Sequence, residues 1–288
     1  MEPEQIADYA CVTGEGPLWH PEEQRLYWVD IPPGKIFRYD PATGQHEQFY
    51  QGSEAIGGFT FQEDGSLLLF GARGAIGILR DGEVTAIIPE IAEEADGRFN
   101  DVIAAPGGRV FCGTMPTDTH AGRLYRLDPD GTLTTLLEGV TVSNGLGFTP
   151  DRRGIYHTDT SKKTITLFDF DEATGAISNA RSFLDLNGKG EEGMPDGMTV
   201  DAEGCVWSAR WDGGVLVRYA PDGSELLRVA FPARKVSSAV FGGPDYADLY
   251  VTTAGGHDKA SNGPGAGALF RLRPGVRGVP EFRSQISS

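Results

Sequence analysis

The sequence has few cysteines and no long apolar segment. Its three cysteines form no C-x-x-C pair, so neither a disulfide framework nor a cysteine-based zinc site is indicated. No window approaches the run of about 18 apolar residues that a membrane helix needs. The first residues also lack the basic stretch and apolar run of a signal peptide. These absences predict reduced thiols and a cytoplasmic location.

Positive charge is scarce as well. The chain has 25 lysines and arginines against 41 aspartates and glutamates, which gives a formal net charge of -16. Such a surface repels phosphate backbones and anionic lipid, so we expect neither nucleic acid nor membrane as a partner.

The G-x-S-x-G and H-E-x-x-H motifs are absent, which argues against a nucleophile-elbow hydrolase and a zincin protease. Among the five scattered histidines, His157 follows an apolar strand-like segment, and a packed core histidine is the favoured interpretation.

Glycine, in contrast, is abundant: 40 glycines and 18 prolines are typical of a chain with many tight turns. A unit of about 45 residues recurs, and this is the period of a four-stranded propeller blade. Each copy has an apolar strand, an Asp/Pro/Gly turn, an aromatic and β-branched strand, and a third strand of the type G-x-(L/I)-x-R. The six copies begin at Gly16, Gly57, Asn100, Asn144, Asp196 and Ser238. Amphipathic helical spacing is absent, apart from one short helical turn expected within residues 89–97.

The repeat predicts an all-β fold: a six-bladed β-propeller of four-stranded antiparallel blades, with residues 1–288 as one domain. A β-sandwich or a β-helix is less compatible with this period. The sixth copy is one strand short at its C-terminal end. Because an open sheet edge invites aggregation, we expect residues near Gln5 to Cys11 to supply the outer strand of the last blade.

The residues just before the first strand of each copy are expected to converge at one mouth of the central channel. These positions hold Glu15, Gly57, Asn100 with Asp101, Asn144, Asp196, and Ser237 with Ser238. Asn-Gly and Asp-Gly steps are also common turn formers, so each step alone is consistent with a turn. Four carboxylate or carboxamide positions in the same register favour a shared site.

Carboxylates that face one axis would repel each other unless a cation lay between them. Carboxylate and carboxamide oxygens are hard ligands, which predicts one divalent metal ion: Ca²⁺, Mg²⁺, Mn²⁺ or Zn²⁺. Three protein ligands would leave positions open for water and substrate. Arg98, two residues before Asn100, is either a donor to substrate hydroxyls or an oxyanion, or a surface arginine paired with the acidic stretch at 93–96.

Five ordered motifs extend over nearly the whole chain: GEGPLWHPEEQRLYWVDI, RFNDVIAAPGGRVFCGTM, VSNGLGFTPD, MPDGMTVDAEGCVW and AVFGGPDYADLYVTTA. Together they resemble the SMP-30/gluconolactonase/LRE-like family, which includes regucalcin and bacterial sugar lactonases. The resemblance implies a six-bladed propeller that binds one divalent metal and hydrolyses aldonolactones. It places the metal ligands on Glu15, Asn144 and Asp196, and the substrate contacts on Arg98 and Asn100.

The segment after the G-T-M motif departs from the family pattern. Some animal members carry an acidic pair there, whereas this chain continues P-T-D, so Asp118 is expected to replace a sugar-binding glutamate. The implied function is metal-dependent hydrolysis of a sugar lactone, with Asp196 as general base, by a monomer or weak homo-oligomer. Two alternatives stay open: another metal-dependent hydrolase, acting on phosphotriesters or other lactones, and a calcium-binding propeller without activity.

Overall fold

The computed structural model describes residues 1–188, 190 and 192–287. Within these residues the chain forms 24 β-strands and almost no helix. Aromatic and β-branched segments such as RLYWVD favour strands, and Asp/Gly turns separate them. The helical turn expected within 89–97 is present as a 3-10 turn at Ala92–Glu94, and one α-helical turn covers Lys259–Asn262. Across these same residues no helix is long and apolar enough to cross a bilayer.

The strands form six four-stranded antiparallel sheets, and each sheet is one blade. From the innermost strand outward, the first three blades consist of β2 (Gly14–His20), β3 (Arg25–Asp30), β4 (Lys35–Asp40) and β5 (Gln45–Gln51); β6 (Ile56–Phe61), β7 (Leu67–Gly71), β8 (Ile76–Arg80) and β9 (Glu83–Ile88); and β10 (Phe99–Ala104), β11 (Val110–Thr114), β12 (Gly122–Leu127) and β13 (Leu133–Val140). The next three consist of β14 (Ser143–Phe148), β15 (Gly154–Asp159), β16 (Thr164–Asp171) and β17 (Ala176–Asp185); β18 (Met194–Val200), β19 (Val206–Trp211), β20 (Val215–Tyr219) and β21 (Glu225–Ala230); and β22 (Lys235–Gly242), β23 (Asp248–Ala254), β24 (Ala268–Leu272) and β1 (Glu4–Asp8). The predicted six-bladed β-propeller is thereby confirmed.

The outer strand of the sixth blade comes from the beginning of the sequence. β1 pairs antiparallel with β24, with Glu4 opposite Arg271 and Asp8 opposite Ala268. Arg271 also forms an ion pair with Glu4 at 2.7 Å. The exposed edge of β24 is therefore covered, and residues far apart in sequence close the ring.

Apolar side chains are buried between adjacent blades. The inner strand β14 is buried along its whole length, whereas the outer strand β5 is exposed at nearly every residue. Six apolar clusters of the described residues occupy the six interfaces between blades. Between the first and sixth blades, for example, the rings of Trp19 and Tyr250 stack with centroids 6.1 Å apart. This packing fixes each inner strand against its two neighbours.

The repeated topology places the starts of the inner strands at one mouth of the central channel and their ends at the other. Residues 273–287 cross the second mouth. Gly278 forms a bridge with Asp201, just after β18, and Ser284 forms a bridge with Gln62, just after β6. Glu281, between these two bridges, lines the channel. The second mouth is thus covered by this segment, and the polar positions predicted from the repeat lie at the first.

Candidate metal and substrate site

A cavity of about 310 Å³ lies at the mouth formed by the starts of the inner strands. It is lined by Thr13, Glu15, Arg98, Asn100, Met115, Val142, Asn144, Thr160, Ser161, Met194, Asp196 and Trp211. The structure therefore brings together all five residues that the family resemblance implied for metal and substrate. They come from four blades, or from the loop that leads into one, and they meet only because the ring is closed.

Each polar position coincides with an irregularity in the pairing of an inner strand. The register between β2 and β3 shifts between Glu15 and Leu18, and the register between β14 and β15 shifts after Asn144. Asn100 and Asp196 lie within the corresponding shifts of β10 and β18. A β-bulge bends the strand and redirects its side chains. The bulges thus account for the presentation of these four polar side chains to one cavity.

The Asn-Gly and Asp-Gly steps are not turns. Asn144-Gly145 lies inside β14 and Asp196-Gly197 lies inside β18. Neither glycine has a positive φ; instead, a Cβ at Gly145 would overlap the carbonyl oxygen of Asp196 in the next blade. A Cβ at Gly197 would likewise lie 2.5 Å from the Cβ of Ser238. Glycine is needed here because adjacent inner strands approach closely.

A hydrogen-bond network fixes the two carboxamides of the site. Arg98 Nη1 donates to Asn100 Oδ1 at 2.8 Å. Asn100 Nδ2 donates to Asn144 Oδ1 at 2.8 Å and to the Ser143 carbonyl oxygen at 3.0 Å. Asn144 Nδ2 then donates to Thr160 Oγ1 at 2.9 Å. Of the two interpretations of Arg98, the structure favours the site residue, because its donor points into this network and away from the acidic stretch at 93–96.

The carboxyl groups of the site are strongly perturbed. Burial raises the pKa of Glu15 and of Asp196 well above their usual values, and the neighbouring Asp101 raises both further. Burial also raises the pKa of Asp101 to about 7, although Arg98 acts in the opposite direction. Asp101 lines the channel below the cavity. Buried carboxylates with one nearby guanidinium make this mouth attractive to a cation.

The donor chemistry fits a hard divalent cation. Glu15 and Asp196 supply carboxylate oxygens and Asn144 supplies a carboxamide oxygen, all types that Ca²⁺, Mg²⁺ and Mn²⁺ accept. In the described part of the chain, no group of three or more His, Cys, Asp or Glu side chains could hold a metal ion. The candidate set contains only two such side chains, and its third donor is an amide. Two carboxylate charges match the charge of a divalent ion.

Asp118 occupies a different position. It is exposed in the loop between β11 and β12 and is not among the cavity-lining residues, whereas Met115 of the same loop lines the cavity. Its contact with a sugar stays a prediction.

His157 is buried and hydrogen-bonded through Nε2 to Ser143 Oγ at 2.9 Å, and burial lowers its pKa to about 4. The interpretation of His157 as a core histidine is confirmed.

Beyond the five predicted residues, the cavity is lined by seven that sequence reasoning did not assign to the site: Thr13, Met115, Val142, Thr160, Ser161, Met194 and Trp211. Thr160 directly follows β15 and Trp211 is the last residue of β19, so both lie where the second strand of a blade ends. The repeat register compared only the starts of the first strands and could not find these two residues. Their signal in the sequence is the position at which a second strand ends, since that end returns to the same mouth.

A six-bladed β-propeller with a polar cavity built from its inner strands defines the class of this protein. A family model described as SMP-30/gluconolactonase/LRE-like region matches residues 13–255. The chain belongs to this family.

Similarity to individual relatives extends over almost the whole chain. A pentonolactonase of Haloferax volcanii is 52% identical over 291 residues, which cover 98% of both chains. A 6-deoxy-6-sulfogluconolactonase of Pseudomonas putida is 36% identical and 94% of both chains is covered. Among solved structures, a calcium-binding protein of Agrobacterium tumefaciens, a regucalcin, superposes with a TM-score of 0.90 at 27% identity, covering 98% of this chain and 97% of that chain.

Proposed function

We propose that this protein is a metal-dependent lactonase that hydrolyses a sugar lactone to the corresponding aldonic acid. The observation that carries the proposal is the convergence of Glu15, Asn144 and Asp196 with Arg98 and Asn100 in one cavity. Two relatives named as lactonases of a pentonolactone and of a sulfogluconolactone support the reaction class. A relative named as a calcium-binding protein supports a divalent metal.

Glu15, Asn144 and Asp196 would hold the cation. A bound divalent ion supplies Lewis acidity toward the lactone carbonyl and toward the attacking water. Asp196 is proposed to accept the proton of that water as general base, and burial, which raises its pKa, makes it a stronger proton acceptor than an exposed aspartate. The proton would later reach the leaving ring oxygen, which becomes the hydroxyl group of the aldonic acid.

Arg98 and Asn100 are proposed to position the substrate. Arg98 Nη1 is engaged with Asn100 Oδ1 and with the Phe99 carbonyl oxygen. We assign its other donors to ring hydroxyls or to the oxygen that becomes negative in the tetrahedral intermediate. Asn100 is hydrogen-bonded on both sides of its amide, to Arg98 and to Asn144. We assign it an indirect role, which is to hold these two side chains in the positions that substrate and metal need.

The remaining walls favour a single sugar ring. Met115, Met194 and Trp211 add apolar surface to the lining of the cavity. A volume of about 310 Å³ is at the small end of ligand sites. An aldonolactone matches this arrangement because the C–H groups on one face of its ring can contact the apolar side chains. Its hydroxyls can then form hydrogen bonds with the polar side chains of the site.

The test is proton release from a panel of lactones, run on chelator-treated protein with Ca²⁺, Mg²⁺, Mn²⁺ or Zn²⁺ added back. The panel contains glucono-, xylono- and arabinolactone together with a plain γ-lactone. We expect metal-dependent turnover that is faster with a sugar lactone. Metal binding without turnover of any lactone would refute the proposal and favour a binding protein.

A further inference from the structure

Thr160 lies beside the proposed metal ligands without being one of them. It follows β15, is only 6% exposed and lines the cavity. Its hydroxyl oxygen accepts a hydrogen bond from Asn144 Nδ2 at 2.9 Å. This contact completes the hydrogen-bond network that begins at Arg98.

The Arg98 end of the network determines which amide atoms of Asn100 and Asn144 donate and which accept. Arg98 has only donors, so Asn100 must turn its Oδ1 toward the guanidinium. The Ser143 carbonyl can only accept, so Asn100 must turn its Nδ2 toward it, and that same nitrogen lies 2.8 Å from Asn144 Oδ1. A flipped Asn144 would place its own amide nitrogen against this nitrogen, donor against donor. Asn144 must therefore direct its oxygen to Asn100 and its nitrogen to Thr160.

Two backbone hydrogen bonds hold the main chain of Thr160 in place. Its N–H donates to the Val142 carbonyl at 3.1 Å, and its carbonyl accepts from the Lys163 N–H at 2.9 Å. Val142 also lines the cavity and lies two residues before Asn144. The acceptor for Asn144 Nδ2 is thus tied by the backbone to the same blade that carries Asn144.

We propose that Thr160 is a positioning residue for the cation site: by holding Asn144 Nδ2, it keeps Asn144 Oδ1, the only atom of that amide able to bind a cation, directed at the site. The inference rests on the proposed function. Without the hydroxyl, the buried amide nitrogen would lose its acceptor and Asn144 would be anchored on one side only. Groups that orient metal ligands in this way typically alter metal affinity 10–100-fold when they are removed.

The experiment measures Mn²⁺ affinity of metal-free protein by calorimetry, with no substrate present. Thr160→Val keeps the shape but removes the acceptor, and we expect a 10–100-fold weaker affinity. Thr160→Ser restores the oxygen and should return affinity to within about threefold of the unmodified protein, which a purely structural effect of the side chain would not predict. Thr160→Ala is the second variant, used if the added valine methyl prevents folding.

The chain offers a matched control two residues earlier on the same blade. Thr158 is fully buried, and its Oγ1 has no hydrogen-bond partner among the described residues. Thr158→Val should therefore leave Mn²⁺ affinity unchanged. Equal affinity of Thr160→Val and the unmodified protein would overturn the inference alone. An unmodified protein that binds none of the four cations would overturn both the inference and the proposed function, whereas tight binding without lactone turnover would refute only the proposed activity.

Discussion

Replacement of Glu281 by glutamine should stabilise the protein at alkaline pH and leave its stability unchanged in acid. Glu281 lies in the segment that crosses the second mouth of the channel, and it lines two small cavities of about 50 and 20 Å³ there. Burial alone raises the pKa of its carboxyl to about 7. No hydrogen bond or ion pair joins this carboxyl to another described residue.

The direction of the effect follows from proton linkage. The pKa of Glu281 is higher in the folded state than the value of 4.5 from which it is raised. Its contribution to stability is therefore fully present below about pH 4.5 and is lost as the pH rises through about 7. A rise of this size corresponds to about 3 kcal/mol in full, at 1.4 kcal/mol per pKa unit. Glu281 is partly exposed, so we expect solvent screening to reduce the gain in Glu281→Gln to about 1–2 kcal/mol above pH 8.

The assay is thermal and urea unfolding of both proteins at pH 5 and pH 8.5. In a chain of this size the gain corresponds to a rise in Tm of roughly 2–6 °C at pH 8.5. Glu138→Gln is the control, since it removes the same charge from an exposed position on β13 and should change stability by less than about 0.5 kcal/mol at both pH values. An equal effect of Glu281→Gln at both pH values would contradict the reasoning, because a packing effect would not depend on ionisation.

Three further predictions concern the proposed site and the closure of the ring. Asp196→Ala should lower lactone turnover by about 10³-fold or more, because it removes both a ligand and the general base; near-normal turnover would contradict both roles. Arg98→Ala should reduce kcat/KM for sugar lactones more than for a plain γ-lactone, and an equal loss on both would indicate an electrostatic role without hydroxyl recognition. Deletion of residues 1–8 removes β1 and uncovers β24, so circular dichroism and size-exclusion chromatography should show unfolding or aggregation; a stable monomer would refute the importance of this strand.

The blade repeat could be predicted from the sequence because each blade repeats the same order of apolar strand and polar turn. The path of residues 273–287 could not. This segment has no period, and its position follows from contacts with several distant parts of the chain, including the bridges of Gly278 with Asp201 and of Ser284 with Gln62. Such contacts exist only after the ring has formed.

The four polar side chains of the inner strands were predictable for a similar reason: Glu15, Asn100, Asn144 and Asp196 share one place in the repeat. The bulges that present them were not, since a register shift is a property of two paired strands and not of either sequence alone. Thr160 was missed because nothing in the sequence around it shows that its hydroxyl contacts Asn144; that contact is visible only in the structure.

The sixth blade provides none of the five site residues, but it explains how its two neighbours keep their spacing. The sixth blade stands between Asp196 of the fifth and Glu15 of the first. On one side, Gly197 packs directly against Ser238; on the other, Ser237 Oγ donates to the Gly14 carbonyl at 2.6 Å. The small residues of β22 therefore set the distance between the two carboxylates. A bulkier residue at Ser238 would have to push the fifth and sixth blades apart, so the serines of the sixth copy belong to the site as spacers even though they donate nothing to it.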